Sequence, residues 1–133
     1  LNREFIFEEA ISGKEITVGI INNKCLPPVE IQTNNIFYNY EAKYLSNETS
    51  LIEADLSEEK KEEIQQMALN AFHACGCKSW ARVDFLQDNN GNFFVIEINT
   101  APGMTSHSLV PKAGSFLGLS YEEVLKNIIN ASL

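Results

Sequence analysis

The sequence predicts an α+β fold in which an antiparallel sheet has helices packed on it. Three observations lead there. β-prone runs separated by turn signals come first, at Phe5–Ala10, Glu15–Ile21 and Val29–Thr33. A stripe at helical spacing follows, made of Ile64, Met67, Ala68, Ala71, Phe72 and Cys75. Two apolar runs then flank Asn90-Gly91, a strong short hairpin signal, before the chain returns to helix.

At 133 residues, 44% of them hydrophobic, the chain has material for one domain, 1–133, with a real core. A net charge of −8 argues against nucleic acid or a membrane surface as partner, though not against a locally basic phosphate pocket. No apolar run approaches the ~20 residues of a membrane span. No cationic start leads into an apolar core, so no signal peptide is visible. Cys25, Cys75 and Cys77 are odd in number and form no C-x-x-C pair, which fits a reducing cytoplasm. No second cysteine or histidine cluster completes a zinc site around Cys75-Gly76-Cys77. The chain opens on Leu1 without Met, as expected of a fragment or a trimmed chain.

The elements follow in order. Phe5–Ala10 is expected as a strand that acquires charge at Glu8-Glu9. Ser12-Gly13 reads as a turn. Glu15–Ile21 is rich in β-branched residues, and Asn22-Asn23 is a second turn signal. Pro27-Pro28 suits the entry of the strand Val29–Thr33. The three strands are expected as an antiparallel meander with the helices on one face. Asn34–Asp55 has no clean period but is dense in aromatics, and is expected as an ordered functional loop; a plain packed loop is the alternative. Ser57, followed by Glu58 and Glu59, starts a helix that Gly76 stops. After the hairpin come a short helix near Val110–Phe116 and a last helix opened by the Ser120–Glu123 capping box. The last helix is expected to bury Val124, Leu125, Ile128 and Ile129.

The hairpin carries the chemistry. With Asn90 and Gly91 central in a type I′ turn, Asn89 faces Asn92, Asp84 faces Glu97 and Arg82 faces Asn99. A symmetric lengthening of the turn keeps that pairing. Alternation then puts Arg82, Asp84, Glu97 and Asn99 on one face, and Val83, Phe85, Ile96 and Ile98 on the other. Facing carboxylates repel unless a cation lies between them. Oxygen ligands suit magnesium or manganese, and magnesium is usually held by one or two carboxylates plus substrate phosphates. Arg82 adds a fixed positive charge that can stabilise an anionic transition state. The alternative is a surface hairpin with solvated charges, its arginine offsetting the acids. Spacing alone leaves both open.

Arg82-Val-Asp84, with Glu97-Ile-Asn99-Thr-Ala-Pro-Gly103-Met-Thr-Ser106, resembles the C-terminal signature of D-alanine–D-alanine ligases of the ATP-grasp superfamily. Phe37-Tyr38-Asn39-Tyr40-Glu41-Ala42-Lys43-Tyr44 resembles that family's mobile ω-loop, and Glu8 to Glu15 its strand and hinge beside adenine. The resemblance runs in order along nearly the whole chain. It implies an enzyme that couples two D-alanines with ATP, through an acyl phosphate, for peptidoglycan synthesis. It further implies two magnesium or manganese ions on Asp84, Glu97 and Asn99. Arg82 and the Gly103 backbone N–H would stabilise the reacting centre. Ser108 and Leu109 would meet the second D-alanine, with Tyr44 linking the ω-loop to Ser108. Lys43 would reach the γ-phosphate. Glu15 would bind the ribose, Glu8 would lie at the adenine, and Phe37 and Ile96 would wall the nucleotide. A cytoplasmic location goes with this reading, and a homodimeric parent is compatible with it.

Ala10 stands where many relatives carry a bulky aromatic, and Ala101 where Ser, Thr or Met is common. Neither removes a group the reaction needs. The family's N-terminal and central domains are absent from this chain, and with them a glycine-rich phosphate loop, two lysines and an acid. The chain alone is therefore expected to be inactive. One rival is another ATP-grasp carboxylate–amine ligase, which would lack the Tyr44 loop and the Ser106-His107-Ser108 segment. Another is a non-catalytic cation-binding module around Asp88-Asn89-Asn90-Gly91-Asn92. That loop fails as an EF-hand, having Phe93 at the glycine position and Asn99 at the twelfth place.

Overall fold

Strand β1, Gly13–Ile21, holds five β-branched residues, and they fit the middle of a sheet. The computed structural model describes residues 2–33 and 49–133. Asn22 and Asn23 follow β1 with positive φ, 51° and 60°, as a two-residue hairpin turn requires. The chain then pairs back on β1 through β2, Lys24–Cys25. Next come β3 (Val29–Thr33), β4 (Thr49–Glu53), helix α1 (Glu58–Ala74), β5 (Trp80–Asp88) and β6 (Phe93–Asn99). Helices α2 (Leu109–Ser115) and α3 (Tyr121–Ser132) close the order. Among the described residues the sheet runs β4-β3-β1-β5-β6, and every pairing is antiparallel. This is the expected α+β class.

Alternation along β1 separates two cores. Ile16, Val18 and Ile20 point to one face, where they meet Ala81, Val83 and Phe85 of β5 and Ile64, Ala68 and Phe72 of α1. Ile21 points to the other face and joins Leu26, Val29, Val110, Ala113, Val124 and Ile128, beneath α2 and α3. The helices therefore lie on both faces, not on one. Each strand face offers apolar side chains in this region, so each needs a cover.

Helix α1 begins as expected. Ser57 caps it, its hydroxyl accepting from the Lys60 N–H at 3.2 Å. It ends at Gly76, whose φ of 69° lets the Cys77 N–H reach back to the Phe72 carbonyl at 3.0 Å. Ser120 and Glu123 form the expected capping box on α3.

Four further expectations are corrected. Phe5–Ala10 is not a strand. Both edges of β1 are taken by β3 and β5, so the meander has no slot beside it. Residues 2–10 run irregular and exposed, with Phe5, Ile6 and Phe7 at 74%, 86% and 96% exposure. Within the expected loop Asn34–Asp55, residues 49–53 form β4 against β3. Cys75 lies past the last turn of α1 and is exposed, although its spacing continues the buried stripe. On α3, Val124 and Ile128 are buried, but Ile129 turns outward and is 58% exposed.

Gly13 opens β1 against the end of β5. A Cβ there would lie 1.8 Å from the Gln87 carbonyl oxygen, so the two backbones would have to part. We expect Gly13→Ala to destabilise the chain by about 3 kcal/mol, the upper end of what overpacking costs. Urea unfolding measures this, and an unchanged midpoint would mean the strand entry shifts freely.

Candidate functional site

The site lies on the face of the sheet that α2 and α3 cover only in part. β1 contributes Glu15 and Thr17, which alternate with the buried Ile16 and Val18. The β1–β5 register sets Thr17 opposite Asp84 and Gly19 opposite Arg82. The β5–β6 register sets Arg82 opposite Asn99 and Asp84 opposite Glu97. The pairings Arg82–Asn99 and Asp84–Glu97 read from the hairpin are thus observed.

The route to that pairing differs from the expected one. The turn is not a two-residue type I′. The Asp88 N–H donates to the Asn92 carbonyl at 3.0 Å, and the Gly91 N–H to the Asp88 carbonyl at 3.1 Å. Gly91 has φ of 84°, so Asn89-Asn90-Gly91 is a three-residue loop closed by a left-handed glycine. The Asp88 carboxylate selects this form by accepting from the Asn90 and Asn92 N–H groups and from the Asn92 side chain. These bonds, that of the Asn92 side chain first, hold its carboxyl below the usual carboxylate range. They also occupy the acid on which a calcium-loop reading would depend. Asp88, not Asn89, therefore meets Asn92, and the pairs near the tip, Gln87–Phe93 to Phe85–Val95, stand one residue off the expected count. A bulge then leaves Ile96 without a partner and restores the count at Asp84–Glu97. Ile96 is 55% exposed and does not join Val83 and Phe85 in the core.

Arg82 grips Asp84 by two parallel bonds, Nε to Oδ1 and Nη2 to Oδ2, both 2.9 Å. Both side chains are mostly buried, at 18% and 15% exposure. The Thr17 hydroxyl lies 2.6 Å from Asp84 Oδ1. Sequence reasoning missed Thr17. Alternation puts it on the face of Glu15, but only the β1–β5 register reveals what it touches. Glu97 is exposed, and no described residue donates to its carboxylate. The Asn99 side-chain oxygen accepts from the Ala101 N–H at 3.0 Å, which turns the chain into the next loop.

That loop carries Gly103 and Ser108. Ser108 caps α2 by position, but its hydroxyl faces back to Thr105, accepting from the Thr105 N–H at 3.0 Å and lying 2.8 Å from the Thr105 hydroxyl. A Cβ on Gly103 would lie 3.3 Å from Ser108 Oγ, so the absent side chain lets the two approach. Leu109 opens α2, half-buried. Tyr121 on α3 donates its hydroxyl to the Met104 carbonyl and ties the loop to that helix. Glu15 is exposed on the same face, opposite Leu86 and Ile31 in register. Glu8 lies in the irregular segment, outside the sheet. Phe37, Lys43 and Tyr44 lie outside the described residues.

The donor set can be judged as it stands. Among the described residues no three His, Cys, Asp or Glu gather into a metal centre. Two facing carboxylates and an amide oxygen are an all-oxygen, incomplete set. That is the set magnesium or manganese uses when substrate phosphates complete the coordination.

A family model described as "D-ala D-ala ligase C-terminus" matches residues 1–130. The chain is 46% identical over 129 residues to a D-alanine–D-alanine ligase of Saccharophagus degradans, covering 96% of the chain and 41% of that protein. It is 43% identical to a D-alanine–D-alanine ligase of Xylella fastidiosa, covering 98% of the chain and 43% of that protein. Among solved structures it resembles D-alanine–D-alanine ligase from Bacillus anthracis complexed with ATP, at 34% identity and a TM-score of 0.78. That likeness covers 94% of this chain and 40% of the other. The chain thus spans about two fifths of the length of the curated relatives it matches.

Proposed function

Because the chain belongs to the family of D-alanine–D-alanine ligase C-terminal domains, we propose that the full-length protein joins two D-alanines into D-alanyl-D-alanine with ATP, for peptidoglycan synthesis. On this reading the chain is the C-terminal ATP-grasp domain, one of two jaws around the nucleotide. N-terminal and central domains supply the rest. The ligase is cytoplasmic and homodimeric. No helix among the described residues is long and apolar enough to cross a membrane.

The observation that carries the proposal is the facing of Asp84 and Glu97 beside Arg82 and Asn99 on one open face. Asp84, Glu97 and Asn99 would hold two magnesium or manganese ions. The chemistry they would supply there is neutralisation of phosphate charge, for a reaction in which the γ-phosphoryl group of ATP passes to the first D-alanine's carboxylate and ADP leaves. The amine of the second D-alanine attacks the acyl phosphate, the C–N bond forms, and phosphate leaves. Arg82 presents a planar fork to the phosphoryl oxygens and to the tetrahedral intermediate. The Gly103 N–H donates to the developing oxyanion, and Ser108 with Leu109 seats the second D-alanine. Lys43 pairs with the γ-phosphate and Tyr44 latches its loop to Ser108. Glu15 takes the ribose, Glu8 lies at the adenine, and Phe37 and Ile96 pack on the base.

Arg82→Lys tests the proposal. It keeps the charge but loses the bidentate fork, and should lower kcat of the full-length ligase by about a hundredfold. Near-normal kcat would leave Arg82 no more than an electrostatic role. Tyr44→Phe tests acceptor choice, because an amine must be neutral to attack whereas a hydroxy acid carries no ammonium. The expected result is weaker dipeptide synthesis and a larger share of D-alanyl-D-lactate when D-alanine and D-lactate compete at neutral pH. An unchanged ratio removes Tyr44 from acceptor choice.

A further inference from the structure

We propose that Thr17 is a positioning residue for Asp84, fixing which of the two carboxylate oxygens meets the cation. The inference rests on the metal-binding reading above. Thr17 is 1% exposed and sits across from Asp84 on the neighbouring strand. Its hydroxyl has one proton and two acceptors in reach, Asp84 Oδ1 at 2.6 Å and the Val83 carbonyl at 3.2 Å. The shorter contact is to an ionised group, where a hydrogen bond is stronger, so the proton goes to Asp84.

Asp84 is then held asymmetrically. Oδ1 accepts from Thr17 and from Arg82 Nε, while Oδ2 accepts only from Arg82 Nη2. A carboxylate oxygen has two lone-pair directions, so Oδ1 is filled and Oδ2 keeps one free. While Arg82 holds Asp84, a cation at this site would find its free lone pair on Oδ2.

A second consequence concerns Arg82. Its guanidinium is assigned both to Asp84 and to the reacting phosphoryl group. If Arg82 were the only group orienting Asp84, turning to substrate would release the carboxylate from its rotamer. Thr17 keeps Oδ1 fixed whichever partner Arg82 serves. Loss of a group that orients a metal ligand in this way typically costs about 10–100-fold in metal affinity.

The experiment compares Thr17→Val, Thr17→Ser and Glu97→Gln in the full-length ligase. It reads Mn2+ binding in the presence of ADP by electron paramagnetic resonance, and the magnesium dependence of turnover. Thr17→Val keeps shape and removes the hydroxyl; should it not fold, Thr17→Ala carries the same test. Expected are Mn2+ binding weaker by about 10–100-fold, a matching rise in half-saturating magnesium, and kcat at saturating magnesium much less affected. Thr17→Ser should restore binding. Unchanged Mn2+ binding in Thr17→Val, or equal loss in Thr17→Ser, overturns the proposal. If binding falls in Glu97→Gln but not in Thr17→Val, only the Thr17 role fails. If neither changes it, the metal-binding reading fails too.

Discussion

On the proposed function, Glu97→Gln and Asp84→Asn in the full-length protein should each lower turnover by at least about a thousandfold at ordinary magnesium, near 4 kcal/mol of transition-state stabilisation. Each change keeps the shape of the side chain and removes one negative charge. In the proposed site two facing carboxylates would hold a cation between them, and one carboxylate facing an amide would hold it far less well. Stability separates this effect from damage to the fold. Glu97 is exposed and faces a like charge across the strand pair, so Glu97→Gln should leave the unfolding midpoint level or slightly raised. Asp84→Asn differs, because it also breaks the two-bond grip of Arg82 on a mostly buried carboxylate. Dipeptide formation and urea unfolding, measured on both variants, give the result. Substantial activity in either one removes that residue from the site.

Phe72→Ala should cost about 3–5 kcal/mol, a large part of the ~5–15 kcal/mol by which a typical protein is stable. Phe72 is fully buried where α1 meets the sheet, in the cluster of Ile16, Val18, Ile20, Val83 and Phe85. Its ring stands edge-on to His73, with centroids 5.5 Å apart. Truncation leaves a void that helix and strands on either side cannot both move to fill. The same strands carry Thr17, Arg82 and Asp84 on their other face, so the loosened packing reaches the site from behind. Chemical unfolding checks this, and a loss below about 1 kcal/mol would mean that the helix collapses onto the gap.

The parts of the fold legible in the sequence were those with a local cause. Asn22-Asn23 needs only its own backbone preference, Ser57 only the N–H groups of the next turn, and Ser120–Glu123 only each other. Strand pairing has no local cause. Phe5-Ile6-Phe7 has the composition of a strand, yet β1 is already flanked on both sides. The second helical layer was hidden for the same reason, since Ile21 and Val29 show their common face only once β1 and β3 are paired. The pairing of Asp84 with Glu97 was reached through two departures that cancel. The tip has one loop residue more than the type I′ count allows, and the bulge at Ile96 absorbs the difference. Thr17 had no signal of its own, being one more β-branched residue in a β-branched strand.

That bulge separates two registers in one hairpin. The tip is shaped by Asp88, Asn92 and Gly91, and the working end by what Arg82, Asp84, Glu97 and Asn99 must reach. With one unpaired residue between them, a change of one residue in the tip leaves the register at Asp84–Glu97 intact, provided Ile96 is gained or lost to match. The same residue is where a protein engineer would join a foreign loop to this scaffold and keep Asp84 opposite Glu97.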